Sequence, residues 1–329
     1  MNNLKKIGMT ALAASLVSTS VFAGEMSVAG SASINMENHS STALSEAKTF
    51  SMGNQLTFSG SGELDNGLTV SLSFVLDQGD DAPASNTVTT LDARGDTSPF
   101  DSHSVSIGSD AMGTIKFSGE GGASTASAID TTAAGDMWDN FNSNGGDAVT
   151  DSAAGDNSIF YTLPSMVDGL GLTASYKPQT STTDSGIGYG ISYTGVEGLS
   201  VSYAMTNIET YAAATTGDQT AWKASYAYGP VTLAASNTEY DVGTLASDDE
   251  TRSYKVSYTV SDAISIGYGT EEIKQGGVAI DAEYTGFSAS YTAGGMTLSA
   301  AVQDGKNIAH TTAAAGQVDF YSLGLSFAF

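Results

Sequence analysis

The chain has 329 residues, of which 11 are basic and 36 acidic, giving a formal net charge of −25 at pH 7, and it contains no cysteine. A disulfide framework, a thiol nucleophile and a thiolate metal site are therefore excluded, and so is nucleic acid as a partner, because the chain lacks the cations that replace phosphate counterions. Apolar residues make up 40 %, but beyond the N-terminus they stand singly between Ser, Thr, Gly and acids, and no stretch reaches the roughly 20 residues of a membrane-spanning helix.

The first residues read as a secretory signal. Lys5 and Lys6 form a positive start, Ile7 to Val17 is a short apolar run, and Val21-Phe22-Ala23 places small residues for cleavage after Ala23. Residues 1–23 are thus expected to be removed. Residues 24–329 form one exported β domain, with nine basic residues against 36 acids and a net charge of −27.

From Gly24 on, apolar side chains recur at every second position in short segments, the pattern of strands with one apolar and one polar face. The first runs to Met36. The second, Phe50 to Leu64, meets the turn Asp65-Asn66-Gly67 and returns through Leu68, Val70, Leu72, Phe74 and Leu76. After the polar stretch Asp77 to Ser102 come Val105 and Ile107, a turn at Ser109–Gly113, and Ile115 and Phe117. The longest interruption, Gly119 to Asp156, precedes Ile159, Tyr161 and Leu163. The next segments start at Leu170, Ile187, Leu199, Trp222, Val231, Tyr254 and Ile264. The fourteenth carries Ile280, Ala282 and Tyr284, then Phe287, Ala289 and Tyr291; the change of phase near Gly286 predicts a bulge. Met296 to Val302 is the fifteenth, and Gln317 to Phe329 the sixteenth, with Tyr321, Leu323, Leu325, Phe327 and Phe329 on one face.

The count is even, and short connections alternate with long acidic ones. That is the layout of an outer-membrane barrel, with short periplasmic turns and long outer loops. Aromatics gather near segment ends, at Phe74, Tyr176, Tyr193, Trp222, Tyr228, Tyr258 and Tyr291, where amphipathic rings favour the membrane–water boundary. The fold class read from this pattern is an all-β, transmembrane antiparallel β-barrel of 16 strands. Sixteen strands leave an aqueous channel.

The signal, the sixteen alternating segments, the long third loop and the terminal Phe329 together resemble the general trimeric porins of Gram-negative outer membranes. Tyr161-Thr162-Leu163-Pro164-Ser165 followed by Gly169-Leu170 is similar to the strand–turn–strand after that family's third loop. The resemblance implies a homotrimer in outer-membrane lipid that passes small hydrophilic solutes and ions and is not an enzyme. It implies a third loop folded into the barrel, and recognition of the terminal strand, Tyr321 to Phe329, by the outer-membrane barrel assembly machinery.

On that reading residues 119–156 are the candidate constriction. They include Asp130, Asp136, Asp139 and Asp147, no Lys or Arg, and Trp138 and Phe141 as rings that could pin the loop. Strand phase turns Lys116, Lys223, Lys255, Asp281, Glu283 and Glu63 to the lumen, with Lys177 at a strand end. The family's arginine cluster has no counterpart, since Arg94 and Arg252 are the only arginines. A weak preference for cations is expected. Asp80-Asp81 and Asp248-Asp249-Glu250 offer the oxygens that Ca²⁺ takes, but without EF-hand spacing they read as solvated loop charge, and no cofactor is expected. His39, His103 and His310 are isolated and read as polar loop or strand residues. An adhesin or receptor barrel is the alternative function, and it calls for a large loop domain or a repeat that the chain does not display.

Overall fold

The computed structural model describes residues 25–40, 48–77, 101–141, 155–179, 185–209, 216–241, 248–313 and 316–329. The expected signal at 1–23, the Asp80-Asp81 pair and Asp147 lie outside them. The strands are β1 (Glu25–His39), β2 (Lys48–Glu63), β3 (Thr69–Asp77), β4 (Ser102–Ser109), β5 (Gly113–Glu120), β6 (Ser158–Thr162), β7 (Leu170–Lys177) and β8 (Ser185–Tyr193). The second half holds β9 (Leu199–Glu209), β10 (Thr216–Tyr228), β11 (Val231–Asp241), β12 (Asp249–Ser261), β13 (Ile264–Gln275), β14 (Ala282–Ala293), β15 (Met296–Lys306) and β16 (Gln317–Ala328).

Each strand pairs antiparallel with its sequence neighbours, and β16 pairs with β1, so the sheet closes. Closure leaves no edge whose amides would face hydrocarbon unpaired. The hydrogen-bonded row that begins at Met26, near the start of β1, passes Gly60, Leu72, Val105, Phe117, Ile159, Tyr176, Ile187 and Asn207 and reaches Asp218, near the far end of β10's span. Rows perpendicular to the strands thus climb the wall, which is the strand tilt that a barrel of this size needs.

Alternation gives the wall two faces. On β12, Tyr254, Val256 and Tyr258 are exposed, while the intervening Ser253 is buried and Lys255 and Ser257 half-buried. The same exposed apolar face continues around the barrel, from Met26 and Val28 to Leu323 and Phe327. In a membrane this face meets lipid, and the polar face lines the lumen.

The expected bulge in β14 is absent. Its register with β13 runs without a shift from Ile264↔Tyr291 to Ile273↔Ala282, and with β15 from Ala293↔Met296 to Glu283↔Lys306. The alternation therefore keeps one phase. Ala282 and Tyr284 lie on the polar face, where both are fully buried. Glu283 shares the outer face with the exposed Phe287, and Asp281, just before the strand, shares its parity. Neither acid is a lumen-wall residue as expected. The misreading has a physical cause. Apolar side chains on the polar face here are covered by protein, so apolarity does not mark lipid contact. Register shifts occur instead at Thr259/Ser261 and at His103/Ser104.

The terminal strand is as expected, with Tyr321, Leu323, Phe327 and Phe329 exposed and Leu325 half-buried on the same face. Phe329 closes the seam. Its amide donates to the Gly30 carbonyl at 2.9 Å and its carbonyl accepts the Gly30 amide at 2.7 Å, and its ring lies over Gly30, where a Cβ would overlap it. Deleting Phe329 removes both bonds, each contributing about 1 kcal/mol. The expected outcome is a lower yield of heat-modifiable, protease-resistant barrel, measured by gel mobility before and after boiling.

Candidate functional site

The connection between β5 and β6 is where the chain's acids and the polar face meet. Its described part, 121–141, follows the wall strand by strand. The Thr125 amide donates to Ser175 Oγ on β7 at 3.0 Å, and the Thr125 hydroxyl donates to the Met205 carbonyl on β9 at 2.9 Å. Lys223 Nζ on β10 donates to the Thr131 carbonyl at 2.8 Å. Ser236 Oγ on β11 accepts the Ala133 amide, and Ser253 Oγ on β12 accepts the Ala134 amide. Farther on, Asn140 Nδ2 donates to Gln303 Oε1 on β15 at 2.9 Å, and His39 on β1 lies 2.7 Å from the Asn140 carbonyl.

The wall is shaped to receive this segment. Between its outward Ile187, Tyr189 and Ile191, β8 places Gly188 and Gly190 on the polar face, and a Cβ on Gly188 would run into the Thr125 hydroxyl. On β13, a Cβ on Gly269 would come within 2.7 Å of Ala134 Cβ. The segment ends in a short 3-10 turn, Met137–Phe141. There Met137 and Phe141 join Ile273, Ala282, Tyr284, Val318, Phe320 and Ile308 of the β15–β16 connection in one buried apolar cluster. The Phe141 ring packs 5.2 Å from Tyr284 and 5.8 Å from Phe320. Trp138 is only half-buried beside this cluster, so Phe141 is the deeper anchor.

A residue that sequence reasoning missed holds the middle. Glu271 on β13 is 3 % exposed. Its carboxylate accepts the Thr132 hydroxyl and the Trp138 amide, the latter at 3.0 Å, and also the Met137 amide. Its place in the chain, beside Glu272 in a strand with outward Tyr268, carried no signal of burial. Thr132 in turn accepts the amides of Gly135 and Asp136, and Asp136 Oδ1 accepts the Thr132 amide at 2.9 Å. This reciprocal turn holds Asp136 at φ 52°, a left-handed conformation that Asp tolerates because its short side chain bonds locally.

The expected site residues therefore separate. Asp130, Asp136 and Trp138 come together with Thr132, Thr238 and Thr251 around a cavity of about 90 Å³. Asp139 is adjacent. Desolvation by the surrounding chain, and secondarily the Asp136 carboxylate, hold its carboxyl above the usual range, although the residue surface is open. Lys223 and Lys255 lie on the polar face as expected, but their ammonium groups turn to the carbonyls of Thr131 and Ala134. They hold the segment's backbone rather than oppose its acids. Lys116 is exposed on the polar face of β5, and Glu63 takes the polar parity of Ser61 on β2. At the acidic β12 start, Glu250 is engaged by Arg252 at 2.6 Å and Lys274 at 3.9 Å. Among the described residues no group of three or more His, Cys, Asp or Glu is placed to hold a metal ion.

The middle of the polar face of β1–β5 is lined by serine, with charges toward the strand ends and at Lys116. Ser27, Ser59, Ser73, Ser104 and Ser118 stand in one register row, and Ser61, Ser71, Ser106 and Lys116 in the next. A closed barrel with a polar inner face and an apolar exterior defines a transmembrane β-barrel. The profile of the Gram-negative porins matches residues 8–283, and the chain belongs to that family. It is an outer-membrane channel protein, not an enzyme. Solved structures agree in fold. A loop-deletion variant of OmpT, an outer membrane protein of Vibrio cholerae, superposes with a TM-score of 0.66 at 15% identity, over 93% of this chain and 100% of that one. An anion-selective porin from Comamonas acidovorans gives 0.66, 15%, 93% and 100%, and a Rh. blastica porin variant 0.62, 18%, 93% and 100%. No curated protein sequence matches the chain.

Two substitutions test the seating of the segment. Glu271→Leu leaves buried amides of Met137 and Trp138 without an acceptor, at a cost of about 1–3 kcal/mol for each orphaned group, and Gly269→Val pushes on Ala134. Both are expected to lower the unfolding temperature and to expose 121–141 to protease while the barrel persists. The check is thermal melting and limited proteolysis with mass mapping.

Proposed function

We propose that this porin carries small hydrophilic solutes and ions by passive diffusion with a weak preference for cations, and that residues 119–156 fold inward and narrow its lumen. The observation that carries this reading is the seating of 121–141 along the polar face from β7 round to β1. It supports a fixed set of carboxylates, Asp130, Asp136 and Asp139, across from a serine-lined wall. A carboxylate held beside a low-dielectric wall attracts cations more strongly than one in bulk water. The wall's lysines at 223 and 255 are occupied with backbone carbonyls, which weakens any opposing field.

The double variant Asp136→Asn, Asp139→Asn is expected to shift the reversal potential in a salt gradient toward anions at low salt and to do little at 1 M, where the Debye length is about 3 Å. An unchanged low-salt potential would show that these acids do not set selectivity. The parent channel is also expected to lose cation preference on acidification. Because the Asp139 carboxyl is raised, it takes up its proton at higher pH than an ordinary aspartate of about 3.9, and the loss begins there. The Asp139→Asn variant should lack that first step.

The same reading includes export through the 1–23 signal, delivery of β16 to the barrel assembly machinery, and a homotrimer. The trimer has support on the outer face. All fifteen tyrosines lie at or beyond Tyr161. The outer face of β1–β5 carries Met26, Val28, Ile34, Phe50, Met52, Leu72, Val105 and Phe117 instead. A face without tyrosine or tryptophan is suited to burial against other copies rather than to the membrane boundary. Crosslinking in mild detergent is expected to give trimers, and monomer alone would remove this part. The long connections are assigned to the cell exterior, so tags at Asp248 and Gly277 should label on intact cells. Labelling only after rupture would invert the orientation.

A further inference from the structure

The cavity under the turn at Asp136 has a composition that the seating of the segment does not use. Its lining of Asp130, Thr132, Asp136, Trp138, Thr238 and Thr251 supplies only oxygen donors beside one indole. Thr238 and Thr251 are neighbours across the β11–β12 register and lie on the polar face, which turns their side chains toward the segment. They are 5 % and 4 % exposed. Neither side chain makes a hydrogen bond among the described residues, and both line the cavity. Thr132, by contrast, is fully used, since it donates to Glu271 and accepts two amides. The ammonium groups of Lys223 and Lys255 are committed to the carbonyls of Thr131 and Ala134. Two hydroxyls from largely buried threonines thus open on one small space with two acidic residues.

We propose that this cavity binds a hard divalent cation of the Ca²⁺ class, held by the Asp130 and Asp136 carboxylates and the Thr238 and Thr251 hydroxyls. The donor chemistry selects the ion. Oxygen ligands with two negative charges suit Ca²⁺, and the absence of nitrogen or sulfur donors disfavours the softer transition metals. The volume is about that of three waters, enough for an ion that keeps part of its hydration. A bound cation would pair both hydroxyl oxygens and join the segment to β11 and β12 beneath the acids of the narrow zone. The site rests on the same loop acids as the reading above, and an occupied site neutralises two of them, so the cation preference is strongest when the cavity is empty.

Trp138 makes the site observable, because an indole beside a bound lanthanide sensitises its emission. Tb³⁺ added to the folded, full-length barrel at low ionic strength should give a saturable emission that Ca²⁺ displaces and Trp138→Phe removes. The other tryptophan, Trp222, is on the outer face. The pair Thr238→Val and Thr251→Val keeps every charge and deletes only the hydroxyls. It should raise the half-saturating Tb³⁺ concentration about tenfold, the change that corresponds to 1.4 kcal/mol. Asp130→Asn with Asp136→Asn should abolish the emission. Emission that rises without saturation, survives Ca²⁺, or is unchanged in the threonine pair overturns the site and leaves diffuse attraction to an acidic barrel. If the aspartate variant fails to give a heat-modifiable barrel, the threonine pair decides. Saturable binding in a channel whose reversal potential shows no cation preference sustains the site and overturns only the selectivity reading.

Discussion

Everything in this molecule depends on the closure of β16 onto β1. Within hydrocarbon a backbone amide has no water to turn to, so a sheet survives there only if it has no edge. The seam runs from Ser31↔Ala328 to His39↔Phe320 and is extended by the two backbone bonds between Gly30 and Phe329. Once the ring is closed, the alternation of side chains becomes an alternation of solvents, with lipid outside and water inside. The low content of large apolar residues follows. A barrel needs only one apolar residue in two, and on its inner face serine serves as well as anything larger.

The polar face is then free to be furnished, and among the described residues the segment 121–141 covers part of it. The chain between β5 and β6 is tied to the wall by contacts of different kinds in succession. Hydroxyls anchor its start, lysine ammonium groups hold its carbonyls, one buried carboxylate gathers its amides, and an aromatic cluster closes its end. Glycines on β8 and β13 leave room for it at the points of closest approach. Repeated anchoring of this sort gives a loop the rigidity of a strand without strand hydrogen bonding. The acids it carries are thereby held at defined places, which is the condition for a carboxylate to act on passing ions rather than to wave in solvent.

The outer face shows the complementary asymmetry. Tyrosines mark the wall from β6 onward and are missing from β1 to β5, where Phe58 stacks on Phe74 at 5.0 Å among methionines and aliphatic residues. Charged residues gather on the outer face of the later strands. Arg252, Glu272, Glu283 and Lys306 stand in one register row across β12–β15, and Lys274 pairs with Glu272 at 3.2 Å beside it. This part of the wall suits a lipid boundary with polar headgroups above it.

Strand number, strand direction, the short–long alternation of connections and the terminal aromatic strand were all legible in the chain itself. Each depends on a period of two and on local turn chemistry, such as Asn66 accepting the Leu68 amide beside Gly67 at φ 80°. Which face of β14 meets lipid was not legible. Tyr284 and Ala282 are as apolar as any lipid-facing pair, and only the packing of Phe141 over them turns that apolarity inward. The same holds for Glu271, for the lysines at 223 and 255, and for the meeting of Thr238 and Thr251 with Asp130 and Asp136. These groups are more than 90 residues apart in the chain and touch because the barrel is closed. The sequence by itself determined a closed, two-faced wall, since periodicity is a local property. What fills the wall, and which side chains confront one another across it, only the tertiary structure decided, because those contacts exist between parts of the chain that no local pattern relates.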